Sequence, residues 1–239
     1  MCGRYLLKAP ADALRRAFGF VEQPNLMARY NIAPTQDAPV IRERRQPKGE
    51  RTLQMLRWGL IPWFAEDMKG GGKLINARAE SIATKPFFRE AFRKRRCLVP
   101  TDGFYEWRGD GKVKQPYLIQ RRDREPFAFA GLWDRWIPKS RPPEPPHIDS
   151  FTIVTTQANA LLKPLHDRMP VILAPEDYAR WLDRGSSETD LRALLKPSRE
   201  DLLAYVAVSP RVNAAAPDDA GLIEPVGTEV VAAQFSVKP

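Results

Sequence analysis

The chain opens on Met1-Cys2-Gly3-Arg4-Tyr5, and Cys2 carries the most distinctive chemistry in it. A small residue follows the initiator methionine, so Met1 is expected to be trimmed, leaving Cys2 as the N-terminus. An N-terminal cysteine holds an α-amine and a thiol on adjacent carbons. The amine can condense with an aldehyde to a Schiff base, and the thiol can then close a five-membered thiazolidine ring. With an α-amine pKa of roughly 7.7–8.0, a minority of the amine is neutral and nucleophilic near neutral pH. The thiol, near 8.5 when unperturbed, is open to activation by neighbours. The alternative is that Cys2 is a buried small hydrophobe.

Three further stretches bear groups able to move protons or grip anions. Asp102-Gly103-Phe104-Tyr105-Glu106-Trp107 reads as a turn entering a strand, with Phe104 and Glu106 on one face and Tyr105 and Trp107 on the other. A carboxylate among aromatics loses hydration, which raises its pKa toward the range of a general acid; a surface glutamate on an edge strand is the plainer alternative. Asn76-Ala77-Arg78-Ala79-Glu80, if extended, points Asn76, Arg78 and Glu80 one way, to position a nucleophile and hold a phosphate through the arginine fork. A solvated edge has the same pattern. His166, one of only two histidines, can shuttle protons near neutral pH or simply satisfy a backbone group. His147, beside a proline-rich loop, is the weaker candidate.

Arg57-Trp58-Gly59-Leu60-Ile61-Pro62-Trp63-Phe64 mixes a cation with aromatics. Single-stranded nucleic acids are bound by such surfaces, because every base has a face to stack; packing in a core is the alternative, for Trp58 above all. Basic runs at 42–51 and 89–96 read as solvated faces or as a phosphate track.

Short elements must position these groups. Proline, at 23 residues spread along the chain, argues against long helices. β-Branched and aromatic stretches predict strands at 4–7, 39–41, 52–58, 97–99, 104–107, 117–120, 127–132, 151–155, 171–173 and 203–208. Helices are predicted over 11–18, with Gly19 as the stop, and over 86–96, grouping Phe87, Phe88, Ala91 and Phe92. Others are predicted over 158–162, 176–183 and 188–195. The glycines at 70–72 read as a flexible turn. Arg141-Pro142-Pro143-Glu144-Pro145-Pro146 reads as a polyproline-like loop, an insertion at 139–149 within one α+β domain spanning 1–239.

Composition narrows the class. Hydrophobic residues at 43% and charged residues at 28% describe an ordinary globular protein. No apolar run reaches the roughly 18 residues of a membrane span. No signal core is present, and two cysteines far apart suit a reducing cytoplasm rather than a disulfide scaffold. A net charge of +9 favours a polyanionic partner, nucleic acid being the usual one. No metal-ligand spacing, dinucleotide fingerprint or P-loop pattern occurs, so no metal and no cofactor is expected.

Together, CGRY at 2–5, RYNIAPTQ at 29–36, RWGLIPWF at 57–64, INARAES at 75–81, RCLVPTDGFYEW at 96–107, LHDRMPVIL at 165–173 and VSPRVN at 208–213 resemble the SOS response-associated peptidase (SRAP) family of abasic-site processing proteins. They span nearly the whole chain in the family's order. Where the family usually has paired tryptophans, this sequence has Trp63-Phe64. The resemblance implies a single α+β domain with a bifurcated, pseudo-barrel mixed β-sheet and peripheral helices. It implies recognition of abasic sites in single-stranded DNA, at replication forks, by a monomer in the cytoplasm and nucleoid. It further implies covalent thiazolidine capture that shields the lesion from strand cleavage, with AP lyase and autopeptidase activities. Carried over, Cys2 is the nucleophile, Asn76 positions it, Glu106 is the acid/base and His166 assists the Schiff-base steps. Arg4 and Arg78 grip DNA phosphates, and Trp58, Trp63, Phe64, Pro34 and Arg168 complete the DNA-binding set. Two rival readings stand beside this one. Class II glutamine amidotransferases also begin Cys-Gly, although their glutamine motifs are not visible here. A non-catalytic DNA- or RNA-binding module leaves Cys2 incidental.

Overall fold

A computed structural model describes residues 2–68, 73–109, 114–138 and 147–232. The expected glycine turn at 70–72 and the core of the proline-rich loop, 141–146, lie outside them. The elements run β1 (Tyr5–Leu7), α1 (Ala11–Phe18), β2 (Arg29–Ile32), β3 (Asp37–Glu43), β4 (Arg51–Trp58), β5 (Asn76–Arg78), α2 (Pro86–Lys94), β6 (Arg96–Thr101) and β7 (Gly103–Arg108). They continue with β8 (Gln115–Arg121), β9 (Phe127–Trp136), β10 (Ile148–Gln157), β11 (Arg168–Pro170), β12 (Ile172–Leu173), α3 (Tyr178–Leu182), α4 (Glu188–Ala193), β13 (Leu203–Ala207) and β14 (Val230–Val231).

Two sheets form. One has the order β14-β13-β8-β7-β1-β2. The other closes on itself. β3 pairs with β4, β4 meets β10 in parallel, β10 pairs with β9, β9 with β6, and β6 returns to β3 at Leu98 opposite Ile41. Beyond this five-stranded ring, the second half of β10 carries β5 in parallel on one side and β11 antiparallel on the other. The sheet thus branches along β10, the bifurcated pseudo-barrel the sequence implied.

Strand alternation explains how the layers stack. Tyr5, Leu7, Phe104 and Ile119 face the barrel and join its core with Trp58, Phe129 and Phe151. Leu6, Tyr105 and Leu118 face the other way and form a second cluster with Val206, Val208, Val212 and Leu222. The first sheet is therefore covered on both faces, once by the barrel and once by the segment 208–223.

Most predicted elements are present, and the departures have local causes. Gly19 ends α1 in the left-handed region at φ 67°, donating to the Arg15 carbonyl. Residues 158–162 form turns rather than a helix, because Asn159 Oδ1 accepts the Leu162 N–H and Pro164 blocks continuation. α2 ends at Lys94, and Arg96 is instead the first residue of β6. Its buried guanidinium donates to the Phe92, Arg93, Trp181 and Asp183 carbonyls. Arg42 is likewise buried, 3.3 Å from Asp149 and stacked over Trp133 at 3.9 Å. Arg42 and Arg96 are thus taken into the fold, and the exposed members of the two basic runs, Arg44, Arg45 and Lys94 among them, are left at the surface. No helix among the described residues is long and apolar enough to cross a membrane.

Gly131 sits where the barrel closes, paired with Cys97 on one side and Ile153 on the other. A Cβ there meets Cys97 Sγ and Val99 Cγ2 at 2.8 Å. Gly131→Ala is expected to cost about 1–3 kcal/mol through overpacking. Urea denaturation checks this; an unchanged midpoint removes close packing as the reason for glycine.

Candidate active site

The two sheets meet at the open end of the branch. β1 and the chain before it bring Cys2, β7 brings Glu106, β5 brings Asn76, and the turn before β11 brings His166. Cys2 is fully buried, and its carbonyl accepts a 2.9 Å hydrogen bond from Asn76 Nδ2. β1 and β7 are adjacent antiparallel strands, with the Tyr105 N–H bonded to the Arg4 carbonyl. Glu106, two residues past Phe104 on the same face, is buried and its charge acts on the Cys2 thiol.

Burial biases all three titratable groups toward their neutral forms. It pushes the Cys2 thiol up, with the Glu106 charge adding to the effect, so these neighbours work against the activation that the sequence left open. It also raises the Glu106 carboxyl, against the opposing pull of the charge at the chain's amino terminus. His166 is lowered, by burial first and by that same positive charge second. Nδ1 of His166 accepts the Arg168 backbone N–H at 2.9 Å. The neutral ring therefore carries its proton on Nε2. Asp167 Oδ1 lies 3.1 Å from Nδ1, a contact that becomes an ion pair only if Nδ1 is protonated against that N–H.

The alternating row at 76–80 is present, with Ala77 and Ala79 buried and Arg78 and Glu80 exposed. Arg78 has no side-chain partner among the described residues. Pro34 is half-buried in a turn beside Thr35, whose φ of 71° is held by hydrogen bonds to the Trp58 carbonyl and from Arg57. Trp63 is 59% exposed and Phe64 37%. They meet edge to face, and Phe64 stacks on Phe87, which α2 turns outward instead of into its apolar face.

Three expected DNA contacts are placed otherwise. Trp58 is wholly buried against Tyr5 and Phe151, so no base can stack on it. Its Nε1 donates to the Ile75 carbonyl at 3.0 Å, which fixes the residue preceding Asn76. Arg168 forks onto both Glu80 oxygens and also donates to the Thr155 carbonyl. It clamps β5 to β11 across β10, and the pairing holds the Glu80 carboxyl low. Arg4 is half-exposed and donates to Asn31 Oδ1 and to the Val212, Asn213 and Ala214 carbonyls, so its guanidinium staples the chain start to the later part of the chain.

Sequence reasoning missed several supporting groups. Asn31 donates to the Ala214 and Pro217 carbonyls, Asp218 accepts from the Tyr30 and Asn31 N–H groups and from Arg29, and Trp107 Nε1 donates to Asn213 Oδ1. Thr155 Oγ1, between β5 and β11, is buried with no hydrogen-bond partner among the described residues. A threonine in a strand gives no local signal of such a role.

The raised Glu106 carboxyl has a stability consequence. Folded protein holds a proton above the unfolded glutamate value of about 4.3, so stability falls as pH rises through the folded value. Glu106→Gln removes that slope. Its melting temperature is expected to match or exceed wild type at pH 7, with the difference vanishing toward about pH 4. A pH-independent difference between the two proteins rules out burial of the charge as its cause.

Comparison with known proteins places the chain in a family. Residues 1–215 match the family model described as SOS response associated peptidase (SRAP). The chain is 39% identical over 229 residues to the abasic site processing protein YoqW of Bacillus subtilis, covering 94% of this chain and 99% of that one. It is 31% identical over 259 residues to the abasic site processing protein HMCES of Xenopus tropicalis, covering 89% and 75%. A solved structure of a protein from Bacteroides thetaiotaomicron superimposes with a TM-score of 0.83 at 29% identity, covering 94% of this chain and 99% of that chain. With its match over residues 1–215 and relatives aligned along nearly its whole length, this chain belongs to the SRAP family.

Proposed function

We propose that this protein recognises abasic sites in single-stranded DNA and captures them covalently through Cys2 once Met1 is removed. The observation that carries the reading is the convergence on Cys2, whose carbonyl is held by Asn76 while the charge of the buried Glu106 acts on its thiol. The names of the relatives, abasic site processing proteins, support the same substrate.

An abasic deoxyribose is mostly a closed hemiacetal, and proton transfer by Glu106 opens it to the C1′ aldehyde. The Cys2 amine adds to C1′, and loss of one water leaves an imine. Sγ then adds to the same carbon while the thiol proton ends on nitrogen, closing the thiazolidine. The net change is one water lost. A thiol kept protonated by burial suits this order, because the protonated imine is a far stronger electrophile than the aldehyde. His166, with Nε2–H as donor, steadies the sugar hydroxyl and the imine. Trp63 and Phe64 stack flanking bases and Arg78 holds a phosphate. Single-stranded DNA fits because no paired base has to be displaced. The adduct shields the lesion from cleavage. Lyase activity is the default of the bare Schiff base, removal of Met1 is the peptidase step, and the protein acts as a monomer at replication forks.

Wild-type protein mixed with abasic single-stranded DNA is expected to give a heat-stable adduct on a denaturing gel. Its mass should equal protein without Met1 plus DNA minus one water. Cys2→Ala should lose this adduct and nick the strand by β-elimination. Equally stable crosslinking by Cys2→Ala would sink the thiazolidine, and glutamine hydrolysis without crosslinking would favour an amidotransferase.

His166→Ala is expected to crosslink more slowly and with an altered pH profile, yet faster than protein with a blocked N-terminus. If its rate matches wild type after correction for the folded fraction, His166 only anchors its loop.

A further inference from the structure

Away from Cys2, on the barrel side of the exposed aromatic residues, lies a groove of about 880 Å³. Seven cationic side chains line it against two carboxylates, Glu43 and Asp134. Several of the cations are committed. Arg95 lies 3.1 Å from Asp134, Arg135 forks onto Asp149, and Arg44 pairs with Glu22 and Glu50. Arg45 and Arg184 are exposed and have no carboxylate partner among the described residues, and Lys94 has only a 3.9 Å contact with Glu90. Arg45 and Arg184 thus give the groove positive charge that no ion pair among the described residues neutralises, and Lys94 adds to it at the far limit of its contact with Glu90.

Trp63 belongs to both surfaces. It lines the groove, where its N–H donates to Asp134, and its ring meets Phe64 in the aromatic shelf. A strand whose bases stack on Trp63 and Phe64 reaches the mouth of the groove without a break. Gln54 is exposed in its lining and can donate its amide N–H to a phosphate oxygen, whereas the Thr52 hydroxyl is already given to Glu22.

We propose that this groove is a second DNA subsite, which tracks the phosphate backbone of the single strand running on from the aromatic shelf on one side of the lesion. The inference rests on the abasic-site reading and deepens it. The footprint is thereby longer than the Cys2 site, and the surplus charge of the barrel face has a specific use.

The test compares oligonucleotides of about 6 and about 16 nucleotides, spanning the usual site sizes of single-strand binders. Each is lengthened on one side of the lesion at a time, with the added flank single-stranded or duplex. Binding is read with undamaged DNA and crosslinking with abasic DNA. Wild type is expected to gain affinity from a single-stranded flank on one side only. The Arg45→Glu/Arg184→Glu double variant, and more mildly Arg45→Ala/Arg184→Ala, should lose that gain and keep the crosslinking rate at saturating DNA. The alanine pair should also flatten the log–log salt dependence by about 0.7 per lost contact. Matching melting curves show that the variants fold. Retention of the length gain by both variants overturns the proposal, as does a gain seen only with a duplex flank. Failure of wild type to crosslink any abasic strand counts against the Cys2 reading instead, and the undamaged-DNA arm still decides the groove.

Discussion

A β-strand has two hydrogen-bonding edges, and β10 uses both of them twice. Its first half closes the barrel between β4 and β9, and its second half lies between β5 and β11. The handover happens around Phe151 to Thr155, at the barrel rim. Asn76 and the turn bearing His166 are therefore presented just past that rim, against the end of the first sheet where Cys2 and Glu106 arrive. The Arg168 fork onto Glu80 and the Thr155 carbonyl keeps the two flanking strands from splaying. The Trp58 hydrogen bond to Ile75 pins β5 from inside. Reaction geometry is sensitive to displacements near one ångström, so these contacts serve the chemistry as much as the fold.

The same enclosure sets the electrostatics. Thiol, carboxyl and imidazole are each displaced toward their uncharged forms, with burial the leading cause in every case. Such a site offers proton donors and acceptors that exchange roles, rather than a fixed charge. Condensation of an amine with a carbonyl needs that exchange, since a proton moves at ring opening, at water loss and at ring closure. In the proposed reaction the sulfur acts last, and the proton that burial holds on it has to leave as it adds.

Much of this was legible in the chain because it is written locally. The period-two alternation at 76–80 and at 104–107, the β-branched strand runs and the Gly19 stop each depend on neighbours in sequence. What escaped depends on distant partners. Trp58 and Trp63 are five residues apart and of one type, yet the barrel rim puts one fully inside and the other 59% in solvent. The resemblance put Arg4 and Arg168 in the DNA-binding set, and nothing in sequence showed their protein partners, at 212–214 and at Glu80, which lie far along the chain. β11, three residues long, is too short to show any period, and only its pairing with β10 defines it.

The staple at Arg4 has a consequence for how the protein comes into being. The strand leading from Cys2 is translated long before the carbonyls that fix it, the Val212 bond alone spanning 208 positions. Asp218, which organises β2 beside it, is made later still. Until that stretch leaves the ribosome Arg4 lacks its carbonyl partners, and the bond from Asn76 to the Cys2 carbonyl holds the chain start without them. A chain that stops before residue 212 keeps β1 but none of the main-chain carbonyls that hold Arg4, so this anchor at the start of the first sheet is supplied only by residues made near the chain's end.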